Sequence, residues 1–202
     1  MSLPSDLDGD QSWLDEVQRL DTAVYLAVAG TPTPRLDAAM RRLTNAANYS
    51  RLSIGAAAVL SVTQGQRGRR AATCGLATVG LTSAFVNLVV KPAGRRRRPT
   101  RETHEPGRTR NVNMPTSASF PSGHTAAAFA FASAVGRDLP WAAVPLRGLA
   151  ALVGYSRVHT GVHYPGDVIA GALIGAVIAD VSADPVDDAI NRTWTRLSSR
   201  SS

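Results

Sequence analysis

From Ala71 to Val90 the chain runs for twenty residues without a charge. At about 1.5 Å per residue a helix of that length is roughly 30 Å long, the thickness of a bilayer's hydrocarbon core. Four further stretches are candidate spans, roughly 50–65, 122–137, 141–157 and 166–181. They are shorter and rich in Ala and Gly, and Arg147 in one of them has to snorkel or face protein. Gly171 and Gly175 form a GxxxG pair, which lets helices approach closely in lipid. Whole-chain averages hide this pattern, since the mean hydropathy is only −0.05. The expected fold is all-α, a polytopic membrane helical bundle of about five to six helices.

The flanks read differently. Residues 8–30 form an amphipathic helix with Trp13, Leu14, Val17 and Leu20 on one side, and Thr31-Pro32-Thr33-Pro34 breaks it. A second short helix covers Leu36 to Asn45, interrupted by Asp37, Arg41 and Arg42, so both are expected in the interface rather than across the membrane. After Asp180, Asp184-Pro185 opens a last helix with Val186, Ile190, Trp194 and Leu197 on one face, suited to docking or to the interface. The implied division is 1–48 interfacial, 49–182 membrane core and 183–202 tail. The acidic opening lacks a basic region before an apolar one, so no cleaved signal peptide is expected. The single Cys74 excludes a disulfide framework and a cysteine metal site.

Charge is concentrated. The net charge is +7, and the stretch Lys91–Arg110 holds the only lysine and seven arginines against Glu102 and Glu105. Such a stretch suits anionic lipid, nucleic acid, a phosphorylated substrate or a plain cytoplasmic loop.

Three clusters can carry chemistry. In Lys91-Pro92-Ala93-Gly94-Arg95-Arg96-Arg97-Arg98-Pro99, a point-charge ammonium and a forked guanidinium together suit a tetrahedral dianion, though a basic membrane flank reads the same way. In Pro121-Ser122-Gly123-His124, Ser122 and Gly123 fall at a helix N-terminus, where free N–H groups favour an anion. His124 could protonate a leaving oxygen; an ordinary Ser cap beside a surface His is the plainer alternative. In Ser156-Arg157-x5-His163-x3-Asp167, the carboxylate can hold one ring nitrogen of His163 and leave the other as a nucleophile, with Arg157 a second anion fork.

His159, His163 and Asp167 also form a row at i, i+4 spacing that could bind a metal. The zincin pattern requires Glu after the first His, where this chain has Thr160, and no further His or Cys completes a site. No metal or cofactor is therefore expected. All three clusters fall at ends of apolar helices, and alternating the helices puts them on one membrane face, the usual mark of a functional site.

These motifs resemble the three-part signature of the type 2 phosphatidic acid phosphatase superfamily, which includes lipid phosphate phosphatases, bacterial class A acid phosphatases and vanadium haloperoxidases. The resemblance covers roughly residues 45–182 and is nearest to actinobacterial membrane members. It implies that His163 attacks phosphorus to give a phosphohistidine, oriented by Asp167, and that His124 protonates the leaving alcohol. Lys91, Arg98, Ser122, Gly123 and Arg157 would hold the phosphoryl oxygens, while His159 receives no role. It also implies a lipid phosphate substrate (a polyprenyl diphosphate, phosphatidate or phosphatidylglycerophosphate), a multi-pass cell-membrane location and a site on the extracytoplasmic face. That orientation puts the most basic loop outside, against the positive-inside rule; Arg67, Arg69 and Arg70 at the opposite end favour it weakly. Specificity is expected in the 99–119 loop and in a groove between helices. The competing readings are a soluble or peripheral acid phosphatase of small phosphate esters, a vanadate-dependent haloperoxidase and a non-enzymatic anion binder. Nucleic acid is not an expected partner, and the sequence leaves the oligomeric state open.

Overall fold

The computed structural model describes residues 7–94, 96–100 and 110–198, and among them every regular element is a helix. Two N-terminal helices, α1 (Leu7–Gly30) and α2 (Pro34–Ala46), lead through a single tight turn into α3 (Arg51–Thr63). There follow α4 (Gly65–Phe85), its continuation α5 (Lys91–Ala93), α6 (Gly123–Asp138), α7 (Pro140–His159), α8 (Pro165–Val181) and α9 (Ala183–Ser198). Pro opens α2, α7 and α8, where its missing N–H costs nothing and its fixed φ suits the first turn. Between α3 and α4 the chain reverses at Gly65, whose φ of +58° is readily available to glycine.

The expected spans all form helices, but they differ in reach. Gly65–Ala93 is one continuous run of 29 residues, long and apolar enough to cross a membrane. It starts six residues earlier than the charge-free run, taking in Arg67, Arg69 and Arg70. Across Val86–Val90 its turn widens to a π-helical one just before Lys91. Within that run Lys91 is carried on the helix end rather than on a free loop. Pro165–Val181 and Ala183–Thr193 qualify only together, bent by 53°. The others fall short by length or charge, with 13 residues in α3, 16 in α6 and Arg147 within α7.

Helix α6 is central, packed on α4, α7 and α8 through small residues; Ala126, Ala130 and Ala132 are fully buried, with Phe131 and Val135 filling the space toward α4. The GxxxG expectation holds in atomic terms. A Cβ on Gly171 would strike the Ser122 carbonyl, and one on Gly175 the Ala126 carbonyl and the Ala130 amide. Both obstacles are backbone and cannot swing away. Gly175→Leu is therefore expected to destabilise the fold by at least about 1–3 kcal/mol, the cost of overpacking a tight core. Thermal unfolding in detergent reads this, with Gly80→Ala as control because a Cβ there meets nothing within 4 Å. Equal transitions for the two variants would contradict the α6–α8 contact.

Bulky apolar side chains lie on the outside. Leu81 and Phe85 of α4, Leu88 in the π-helical turn that follows it, and Ile169, Leu173, Val177 and Val181 of α8 are exposed, as are Trp13, Val17, Leu20 and Val24 along α1. The side chains of Leu14, Trp194 and Leu197 lie outside the described residues, so the apolar faces assigned to α1 and α9 are seen only in part. Val186 is buried, and Asp187 ties α9 to α4 through Arg70 at 3.0 Å and the Cys74 thiol at 3.3 Å.

Candidate active site

The ends of α5 and α7 and the starts of α6 and α8 meet at one end of the bundle, with the 96–100 and 110–122 segments between them. His163 and Asp167 lie at its centre, 2 % and 0 % exposed. His163 sits in the turn after α7, and Asp167 in the first turn of α8, where its carboxylate accepts from the Tyr164 amide at 2.9 Å as a capping box does. Its Oδ2 lies 3.4 Å from His163 Nδ1 and also accepts the Ser119 hydroxyl at 2.5 Å.

The other ring nitrogen, Nε2, is 3.2 Å from Arg98 Nη1. A guanidinium has only donors, so Nε2 must present its lone pair and the ring proton must sit on Nδ1, toward Asp167. Burial, with the nearby charges of Arg98 and Arg157, pulls the imidazole down to about 4 against the opposing hydrogen bond to Asp167, so the ring is neutral at physiological pH. A neutral imidazole with its lone pair turned toward cations is what a nucleophile for an anionic electrophile requires.

Around this pair stand the other expected residues. Arg98 is fixed by the carbonyls of Ser117 (2.9 Å), Ala118 (3.2 Å) and Val162 (2.7 Å). Lys91 Nζ shares the Ser117 hydroxyl with it at 3.2 Å and lies near the Cα of Gly123, where a Cβ would approach to 3.8 Å. Gly123 and His124 begin α6, whose first N–H groups have no partner within the helix. His124 Nε2 pairs with the Asn48 side-chain oxygen at 3.0 Å, and buried Arg157 donates to Thr44 at 2.7 Å. Ser122 departs from its expected part. Its N–H donates to the Asp167 carbonyl at 2.9 Å and its hydroxyl pairs with Thr125 at 2.9 Å, so it fastens α6 to α8.

Several contributors carried no readable signal. Arg96 bridges Asp167 (2.9 Å) and Asp21 of α1 (2.6 Å), with its guanidinium over the Tyr164 ring at 4.3 Å. Asp21 in turn accepts the Gly166 amide at 2.7 Å. The N-terminal helices thus reach the site through Asp21, Thr44 and Asn48. Their only sequence trace is a polar residue on an amphipathic helix or at its end.

His159 turns elsewhere. Helix α7 ends at this residue and α8 begins at Pro165, so the i, i+4 row from His159 through His163 does not lie on one helix face. His159 Nε2 meets Asp37 of α2 at 2.8 Å, and that buried carboxylate also holds Arg110 at 3.1 Å and Thr33 at 3.0 Å. Burial would raise the Asp37 carboxyl, but these partners hold it below its ordinary range. The cluster clamps α2 onto α7. Among the described residues no group of three His, Cys, Asp or Glu side chains is placed to hold a metal ion.

Two clefts are bordered by His124. One, about 220 Å³, includes Lys91, Gly123, Leu52, Ala128 and Val153; the other, about 310 Å³, includes Asn45, Asn48, Asn111, Asn113 and Arg157. Of the 99–119 loop expected to set specificity, residues 101–109 lie outside the described residues.

The family model of the PAP2 superfamily matches residues 72–184. The chain is 34 % identical over 153 residues to the decaprenylphosphoryl-5-phosphoribose phosphatase of Mycolicibacterium smegmatis, covering 74 % of this chain and 77 % of that protein. It is 37 % identical over 100 residues to the protein of the same name from Mycobacterium tuberculosis, 48 % of this chain and only 51 % of the relative, so it spans about half the length of that protein. Among solved structures, Aquifex aeolicus LpxE superposes with a TM-score of 0.65 at 25 % identity, covering 82 % of this chain and 95 % of that one. The transmembrane PAP2-type phosphatidylglycerolphosphate phosphatase of Bacillus subtilis gives 0.63 at 26 %, covering 87 % and 88 %.

Proposed function

The chain belongs to the PAP2 superfamily, and on that premise we propose that it is a membrane phosphatase that removes phosphate from a lipid phosphate or diphosphate through a phosphohistidine. The observation that carries this is the placement of the buried His163 ring, with Nδ1 3.4 Å from Asp167 and Nε2 3.2 Å from Arg98, from which the Nδ1–H tautomer follows.

In this reading Nε2 attacks phosphorus, forming an N–P bond as the P–O bond to the lipid breaks. His124 supplies the proton that the departing oxygen takes up. Water then attacks the phosphohistidine and gives its proton to His124, and phosphate leaves with His163 restored. The charge of the transferring group is met by Lys91, Arg98 and Arg157 and by the first amides of α6, fixed donors in a largely buried site. Arg98, already donating to Nε2, passes that hydrogen bond to a phosphoryl oxygen as the N–P bond forms. Ser122 keeps the α6 terminus against Asp167.

Membrane placement rests on the 29-residue helix Gly65–Ala93 and on the outward-facing large aliphatic residues of α4 and α8, which lipid tolerates better than water. The remaining core helices accompany it as a multi-pass bundle. The exposed face of α1 lies in the interface, and the site opens on the extracytoplasmic side.

The direct test is phosphate release by detergent-purified protein from phosphatidate, phosphatidylglycerophosphate and a polyprenyl diphosphate, with and without excess EDTA. Turnover of at least one lipid, undiminished by EDTA, is expected. Activity abolished by the chelator and restored by a divalent cation would refute the metal-free mechanism.

A further inference from the structure

Among the described residues His124, His159 and His163 each have an oxygen partner on a ring nitrogen. For His163 and His159 it is a carboxylate, Asp167 at 3.4 Å and Asp37 at 2.8 Å. For His124 it is an amide: the Asn48 side-chain oxygen lies 3.0 Å from Nε2.

The chain takes an unfavourable path to put Asn48 there. It opens the short turn that reverses α2 into α3, where the Arg51 N–H donates to the Asn48 carbonyl. The next two residues, Tyr49 and Ser50, have φ of +54° and +56°, the left-handed region that glycine enters freely and other residues resist. Neither is Gly, Asn or Asp, and Tyr49 is 84 % exposed, so packing of its side chain does not hold the turn. Strained backbone of this kind persists where the surroundings impose it. Here the end of α2 is tied to α7 by Thr44 and Arg157 at 2.7 Å, and α3 is packed on α4 through Ala57 and Leu60.

The chemistry of the acceptor decides what it can do. An amide oxygen accepts and never donates, so Nε2 of His124 donates to it, and a neutral ring then has its lone pair on Nδ1. A carboxylate in that place would hold a protonated ring as an ion pair and set a negative charge beside an incoming phosphate. The amide orients the ring and does neither.

Resting on the phosphatase reading above, we propose that Asn48 is a positioning residue for the proton donor. It keeps the Nε2–H of His124 through the whole cycle, so that Nδ1 is the nitrogen that gives and retakes the mobile proton. In the first step the Nδ1–H bond breaks as the departing oxygen gains its proton. In the second, water gives a proton back to Nδ1 while its oxygen bonds to phosphorus. The strained turn is what places this acceptor against the ring.

The test compares kcat/KM, which reports phosphoryl transfer to the enzyme and not the later hydrolysis, for phosphatidate and 4-nitrophenyl phosphate in detergent. The glycerol oxygen of phosphatidate needs a proton to leave; nitrophenolate departs without one. Asn48→Leu, similar in size but without an acceptor, is expected to lower the value for phosphatidate by about 3- to 10-fold, the range for one neutral hydrogen bond, and for 4-nitrophenyl phosphate by less than about 1.5-fold. In a His124→Ala background the same substitution is expected to lower neither value further, because no ring is left to position. Asn48→Ala repeats the comparison with a smaller side chain, and a thermal transition matched to wild type shows that each variant is folded. No loss on phosphatidate, equal losses on both substrates, or a further loss in the His124→Ala background overturns the role of Asn48 while the phosphatase stands. Release of phosphate by wild-type protein from neither probe nor any lipid phosphate overturns both.

Discussion

His163→Ala is expected to lower phosphate release from a lipid phosphate by about 10⁴- to 10⁶-fold, the scale seen when an enzymatic nucleophile is removed. The size follows from the position of the ring. It is 2 % exposed, neutral, and oriented from both sides by Asp167 and Arg98, so nothing nearby can take its place. His124 is the nearest other imidazole in role, but its Nε2 is held by Asn48 and it opens onto the clefts rather than onto Asp167. A second readout separates lost chemistry from lost structure. With a ³²P-labelled lipid, rapid quenching should leave label on wild-type protein and none on His163→Ala. Label retained on His163→Ala would assign the nucleophile to another residue. The clamp residue gives a contrast: His159→Ala leaves buried Asp37 with Arg110 and Thr33, and its cost should appear mainly in the thermal transition.

That contrast also shows what could be read from the sequence. His159 and His163 stand at the same spacing as His163 and Asp167, and the chain alone cannot tell the pair proposed as catalytic from a structural neighbour. The difference arises because α7 ends at His159, which carries its ring toward α2 while the following turn brings His163 back to α8. The signature residues were legible because the chemistry confines them to short local patterns at helix ends, and helix alternation brings those ends together. The supporting residues were illegible for the opposite reason. Arg96 is one of four consecutive arginines, and its partners Asp21 and Asp167 lie 75 and 71 residues away. Asp21 resembles any acidic residue on an amphipathic helix, and only the packing of α1 against α8 gives it the Gly166 amide. The close contact of α6 and α8 was legible as Gly171 and Gly175, since glycine at that spacing has few other uses in an apolar helix. Span lengths were less so: Ala and Gly make a helix that packs closely without making it long or apolar enough to be recognised by itself.

Asp167→Asn is expected to reduce turnover by about 10³- to 10⁴-fold, close to the cost of the same exchange in a catalytic triad. The carboxylate serves four donors, with Arg96 on Oδ1 and with Ser119, the Tyr164 amide and His163 Nδ1 on Oδ2. An asparagine keeps one oxygen and replaces the other with two N–H donors. If the new amino group faces Arg96, two donors oppose each other in a fully buried place, and that guanidinium keeps only its bond to Asp21. If it faces Ser119 and His163, Nδ1 becomes the acceptor and the proton moves to Nε2. The lone pair that should meet phosphorus is then gone, and Nε2–H is set against the Arg98 donor 3.2 Å away. Either orientation costs activity, but only the second abolishes the phosphoenzyme. Arg96→Met tests the first effect alone, because it removes the guanidinium and leaves Ser119 and Tyr164 on Oδ2; a fall of about 10- to 100-fold is expected, consistent with the loss of a charge-assisted bond to a buried group. If Asp167→Asn loses no more than Arg96→Met and still accumulates labelled phosphoenzyme, Asp167 acts by holding the loop in place, and the proton on Nδ1 is set by Ser119 instead.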